Sequence, residues 1–279
     1  MADVKLIAID LDGTLFKNNG EITQASIDAI NYAADKGVHM VISTGRPYSG
    51  IPFARLKGTK MNYSINTNGA SVYKLSPKTC IFEAPMEDSL VLPILDYLYT
   101  KRCHIAAFIN GEGVSPEYCQ AMVPDLILPD SIKATYNGTR LHTPDLTAYI
   151  TGNHYHVQKC TLNFMRGTDG TLLDRDEIEK YLTSNPALEV VCGGYQNLEF
   201  TRRGVDKAIG LQALCDHLGI GIGEAMAIGD TANDTAIIKA AGIGVAMGNS
   251  IPEVLAAADY VTASNEDDGV AQAIYHFVR

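Results

Sequence analysis

Residues 4–14 read VKLIAIDLDGT, a short apolar run that closes on Asp10, a second acid at Asp12, and then Gly-Thr. The run has the length and composition of a buried strand, and Gly13 lets the chain turn sharply away from its end. Two carboxylates two positions apart beyond one strand can point toward a common site. Outward from this stretch, VHMVIS (38–43) is a second apolar run, and residues 23–36 between the two carry a helical period. Thr23 is placed to cap that helix and Gly37 to close it, so the first 43 residues predict β-α-β. The same alternation returns in the second half. A helix is predicted from about 206 to 217, a strand at AMAIG (225–229), a helix from about 233 to 241, and a strand at IGVAM (243–247). Short buried strands alternating with helices imply a parallel sheet covered on both faces, and such sheets collect ligands beyond the carboxyl ends of their strands. Asp10, Ser43-Thr44 and Asp230 all stand at that end.

The middle of the chain has a different texture. Between about Glu83 and Cys192, helical patterns at 89–101 and 174–183 mix with alternating runs such as CHIAAFI (103–109) and QKCTLNF (158–164), separated by loops bearing Pro and Gly. The expected architecture is therefore α/β: a Rossmann-like parallel-sheet core from residues 1–82 and 193–279, with an α+β domain, 83–192, inserted between its two pieces.

The bulk composition narrows the function. Of the 279 residues 46% are hydrophobic and 19% charged, which is ordinary globular usage, and the formal net charge is -10. No dense basic run is present, so neither nucleic acid nor an anionic membrane is an expected partner. No apolar stretch approaches the length of a membrane span, and the start of the chain lacks the layout of a secretory signal. The six cysteines are scattered with no C-x-x-C pair, which leads to the expectation of a reduced, cytoplasmic protein. Oligomeric state is not legible. An acidic chain of this kind binds phosphate esters only with local help from a divalent cation, placed cations or backbone N–H groups.

Such help is visible in four places, each with a bland reading beside it. Asp10 and Asp12 would repel unless neutralised, and an oxygen-seeking divalent cation, most simply Mg2+, relieves that repulsion; Asp-Gly-Thr is equally common turn chemistry. Ser43-Thr44-Gly45-Arg46 offers a hydroxyl and successive N–H groups to phosphoryl oxygens, or merely a helix cap. Lys207 opens a helix, where an ammonium could neutralise both phosphate and nucleophile, although a lone Lys is usually a solvated charge. Gly229-Asp230-Thr231-Ala232-Asn233-Asp234 places two further acids after a strand, where Asp and Asn also serve as caps.

In this order, DLDGT (10–14), STGR (43–46), Asn68-Gly69-Ala70, GVDKA (204–208) and GDTAND (229–234) resemble the haloacid dehalogenase superfamily, specifically its Cof-type, sugar-phosphatase-like branch. The resemblance spans both ends of the chain and implies a cap domain inserted where the texture changes near Glu83. It implies that Asp10 attacks phosphorus to form an aspartyl-phosphate, and that Asp12 protonates the leaving oxygen and then activates water. Mg2+ would be held by the Asp10 carboxylate, the Asp12 carbonyl and Asp230, with Asp234 supporting the metal site or Lys207. Thr44, Gly45, Arg46, Asn68, Lys207 and Asn233 form the implied substrate-binding set, with Thr44 and Lys207 on the transferring group. The expected substrate is a small-molecule phosphate ester, either a sugar phosphate or a phosphorylated cofactor precursor. The inserted domain, which matches only in general pattern, is where substrate identity would be encoded.

Other readings stay open at this point. A phosphomutase uses the same acid pair, and a non-enzymatic aspartyl-phosphate switch also phosphorylates an Asp beside Mg2+, although Asp12 would shorten the life of that phosphoryl group and a large insert has no role there. Two imitations are set aside. Asp169-Gly170-Thr171 follows no apolar strand, and Gly219, Gly221 and Gly223 precede a strand where a dinucleotide fingerprint would follow one.

Overall fold

The computed structural model describes residues 3–192 and 194–279. In chain order the strands are β1 (Leu6–Asp10), β2 (His39–Ser43), β3 (Tyr63–Asn66), β4 (Ser71–Lys74), β5 (Thr79–Glu83), β6 (Cys103–Ile109), β7 (Glu112–Pro116), β8 (Arg140–Thr143), β9 (Val157–Phe164), β10 (Leu188–Cys192), β11 (Leu198–Arg202), β12 (Ala225–Gly229), β13 (Ile243–Ala246) and β14 (Tyr260–Val261). They form two sheets, in the orders β14-β13-β12-β1-β2-β3-β4-β5 and β10-β11-β9-β6-β7-β8.

The chain divides into two compact units, one of residues 1–46, 51–83 and 206–279, the other of 47–50 and 84–205. In the first, β14 to β3 run parallel, which makes this a Rossmann-like α/β core. The alternation of strands and helices in the sequence predicts only parallel pairing, but β4 and β5 extend the sheet antiparallel through tight connections. β1 lies centrally, every residue of it buried, so its Leu and Ile side chains pack on both faces. Thr23 Oγ1 accepts from the Ser26 N–H at 3.1 Å to start the helix Gln24–Asp35, and Gly37, at φ +86°, follows its last turn.

The second unit is an α+β sandwich. One face of its sheet carries Ile105, Leu162 and Phe200, which pack on Val91, Leu95 and Leu98 of the helix Asp88–Leu98. Strand alternation puts polar side chains on the opposite face. There Lys159 is buried, pairs with Glu199 at 2.6 Å and stands 5.1 Å from the centre of the Phe108 ring, while Arg140 lies 4.8 Å from both Phe108 and Tyr136. Residues 194–205, placed with the core from sequence, belong to this unit. β11 pairs antiparallel with both β10 and β9, because its alternating residues need a partner on each edge. Gly193 itself lies outside the described residues. No helix among them is long and apolar enough to cross a membrane.

Close backbone packing sets the helix Lys207–Leu218 against the first sheet. A Cβ on Gly69, whose φ is +93°, would stand 1.8 Å from the Asp206 carbonyl oxygen, and one on Gly210 would meet Ile65. Gly69→Ala is therefore expected to lower stability by about 3 kcal/mol, the sum of left-handed strain and overpacking. Gly37→Ala, with open space around its Cβ, meets only the strain of about 1 kcal/mol. Urea unfolding of the two variants checks this; equal losses would mean that the 69–206 contact does not position the helix.

Candidate active site

Asp10 and Asp230 meet because their strands are neighbours. β1 pairs with β12 in a register that sets Ile9 beside Ile228, so the two chains reach their carboxyl ends together. Asp10 is the last residue of β1 and Asp230 the first beyond β12, and both are buried. Gly13 permits the approach. At its φ of +86° any Cβ would lie 2.4 Å from Asp230 Oδ2.

Lys207 enters the same place from the start of its helix, where Asp206 caps the Ala208 and Ile209 N–H groups. Its ammonium is fully buried and donates to Asp10 Oδ1 at 2.7 Å, to Asp234 Oδ1 at 2.6 Å and to the Ser43 carbonyl at 3.4 Å. Asp234 uses its other oxygen to accept from the N–H groups of Asp230 and Thr231, both at 3.1 Å. This explains a shift from the expected helix start at 233. Residues Ala232–Asp234 form a single 3-10 turn, and the helix begins at Thr235. Thr14 donates its hydroxyl to Asp230 Oδ1 at 2.8 Å.

The charges do not balance. One ammonium faces three acids, so burial, reinforced by Asp234 and Asp230 and opposed by Lys207, pushes the Asp10 carboxyl well above the usual range. Asp230 is pushed up to about 6, by burial first and by neighbouring carboxylates, against its bond from Thr14. Burial works against the Lys207 ammonium, but Asp10 and Asp234 outweigh it and hold the group protonated. One oxygen from each of Asp10, Asp230 and Asp234 lies within 4.8 Å of the others. The oxygens of Asp234 are already engaged, while Asp10 Oδ2 and Asp230 Oδ2 accept no hydrogen bond from the described residues. Hard anionic oxygens carrying excess negative charge fit a hard divalent cation such as Mg2+.

The remaining candidates surround this cluster in the same unit. Thr44 is buried beyond β2; its N–H donates to the Ile65 carbonyl, and its Oγ1 accepts from the Arg46 N–H at 3.2 Å across Gly45. Asn68, in the left-handed region at φ 56°, accepts through Oδ1 from Asn233 Nδ2 at 3.3 Å. Asp12 stands apart from the buried acids, its side chain paired with Arg46. Two contributors went unread in the sequence: Thr14, inside the quoted motif, and Asn249, whose Nδ2 donates to the Gly13 carbonyl at 2.8 Å. Asn249 follows β13, so the rule on carboxyl ends of strands already pointed to its loop.

The raised Asp230 carboxyl yields a pH prediction. Its folded value near 6 exceeds the ordinary 3.8, so its stabilising contribution is complete below the ordinary value and lost as pH rises through 6. In EDTA at pH 7.5, Asp230→Asn should therefore be more stable than wild type by on the order of 1–3 kcal/mol, and unfold at a higher temperature. Mg2+ should then raise the midpoint of wild type and not of the variant. A variant less stable than wild type in EDTA would contradict the charge imbalance.

Comparison with known proteins agrees with this geometry. Residues 7–274 match the profile of the haloacid dehalogenase-like hydrolase family. The 5-amino-6-(5-phospho-D-ribitylamino)uracil phosphatase YcsE of Bacillus subtilis is 29% identical over 276 residues, covering 99% of this chain and 96% of the relative. Among solved structures, a haloacid dehalogenase-like hydrolase from Bacteroides thetaiotaomicron superimposes with a TM-score of 0.79 at 29% identity, covering 98% and 99% of the two chains. The subclass IIB sugar phosphatase BT4131 gives a TM-score of 0.77 at 25% identity, covering 98% and 99%. Nearly the whole chain is matched in each case, and the protein belongs to the haloacid dehalogenase-like hydrolases, in their Cof-type branch.

Proposed function

We propose that this hydrolase is a Mg2+-dependent phosphatase that removes phosphate from small phosphorylated metabolites through an aspartyl-phosphate on Asp10. The observation that carries the reading is the buried triad in which Lys207 bridges Asp10 and Asp234 beside Asp230. A purely structural ion pair would balance its charges; this one keeps an anionic excess at the carboxyl ends of two central strands. The names of the relatives, phosphatases of a ribitylaminouracil phosphate and of sugars, support the same class of substrate.

In this reading an Asp10 oxygen attacks phosphorus, the bond to the ester oxygen breaks, and Asp12 delivers the proton that the leaving alcohol needs. Asp12 next takes a proton from water as the water oxygen bonds to phosphorus, and the Asp10 carboxylate departs. Thr44 and Lys207 hold the phosphoryl oxygens throughout, since their charge dominates the barrier. Asp234 holds the Lys207 ammonium against Asp10, and Asn68 and Asn233 brace the two loops that flank the cluster. Bound by Asp10, Asp230 and the Asp12 carbonyl, Mg2+ would supply positive charge against the repulsion between nucleophile and dianion. Substrate selection is assigned to the inserted unit, whose sheet carries the charged and aromatic set Arg140, Lys159, Glu199 and Phe108 on one face.

Phosphate release from sugar phosphates, nucleotides and flavin or pyridoxal phosphates, with Mg2+ and with EDTA, tests the proposal. Wild type should release phosphate only with the metal, and Asp10→Asn should lose at least about a thousandfold while remaining folded. Robust turnover by Asp10→Asn sinks the covalent route, and undiminished turnover in EDTA sinks the metal.

A further inference from the structure

The candidate acid, Asp12, has its side chain 59% exposed and both oxygens engaged. Arg46 Nε donates to Oδ2 at 2.8 Å and Nη2 to Oδ1 at 2.9 Å, the side-on fork that gives arginine its geometric selectivity for carboxylates and phosphates. Both partners are anchored through their backbones. The Arg46 N–H donates to Thr44 Oγ1, and the Arg46 carbonyl accepts from the Thr67 N–H at 3.0 Å and Asn66 Nδ2 at 3.2 Å. On the other side, the chain leaving Asp12 is pinned where Asn249 holds the Gly13 carbonyl. Both backbones are therefore braced, so the two side chains start from a set position while the fork between them remains an exposed pair.

Its position has a chemical consequence. With both oxygens in the fork, Asp12 is turned toward Arg46, and each oxygen keeps only the lone pair that points away from the guanidinium. Exposed pairs of this kind are weak enough to exchange, and a phosphate dianion offers the same fork a partner of higher charge. We propose that Arg46 is a positioning residue that changes partner during turnover: it clamps Asp12 in the substrate-free enzyme and turns to phosphoryl oxygens when the ester arrives, which releases Asp12 for proton transfer. The proposal rests on the phosphatase reading and adds that Asp12 and the ligand compete for one guanidinium.

Competition is measurable with inorganic phosphate as the probe, in the full chain with Mg2+. Its dissociation constant is determined for wild type, Asp12→Asn, Arg46→Ala and the double variant, with Arg46→Lys as the variant that keeps the charge and loses the fork. Removing the Asp12 charge should tighten phosphate roughly threefold to fivefold while Arg46 is present, the scale of an exposed fork. In the Arg46→Ala background the same change should give less than about a twofold gain, because nothing is left to release. A gain of equal size in all backgrounds would mean simple charge repulsion between Asp12 and phosphate, and would overturn the exchange. If that result came with Mg2+-dependent turnover that Asp10→Asn abolishes, the phosphatase reading would survive and only the fork would fall. Failure of wild type to bind phosphate would count against both.

Discussion

The buried ammonium of Lys207, held between Asp10 and Asp234, is the interaction on which the rest of this structure depends. An unpaired charge at that depth would cost several kcal/mol, so the fold must deliver two carboxylates to the same point from distant parts of the chain. Asp10 lies 197 residues before Lys207, and Asp234 lies 27 after it. The demand is met by parallel strands that end together, by the close packing of Gly69 under Asp206, and by the 3-10 turn that aims Asp234 inward. Each device is ordinary alone, and together they bring the three side chains to one place.

The pairing is also incomplete, and the incompleteness has chemical use. Burial first, and then the excess of three acids over one ammonium, raises the Asp10 and Asp230 carboxyls, and a divalent cation is the simplest group to offset that excess. A cation bound there would couple stability to metal, since what binds only the folded state stabilises it. The fixed ammonium and the proposed cation would together present positive charge where a phosphoryl group must be held.

Much of this was legible in the sequence. The runs that became β1, β2, β12 and β13, the helix capped by Thr23, and the acids at strand ends all announce themselves through local rules, because two-sided burial and cap chemistry act over a few residues. The antiparallel β4 and β5 were missed, since a short strand carries no mark of its partner's direction. The pairing of β11 with β9 depends on residues some 40 positions apart, so no local signal marked the end of the inserted unit. Within the site, the residues of DLDGT alone left open which acid attacks, and the family resemblance gave that role to Asp10 and proton transfer to Asp12. Only the structure shows one in the buried cluster and the other in a fork with Arg46, a distinction set by burial and by contacts across 34 residues. Thr14 and Asn249 were not singled out for a similar reason: position at a strand end pointed to their loops, but a hydroxyl or amide that orients another group leaves no charge pattern to read.

The central claim is that Asp10, and no other acid, carries the phosphoryl group. The most direct measurement is acid quench of the enzyme during turnover of a substrate identified by phosphate release, followed by borohydride reduction and mass spectrometry of the peptide that contains residues 6–17. An acyl phosphate on Asp10 is reduced to homoserine, so the account predicts homoserine at position 10 and an unchanged Asp12. Homoserine at position 12, or none at either position in an enzyme caught while turning over, would contradict it.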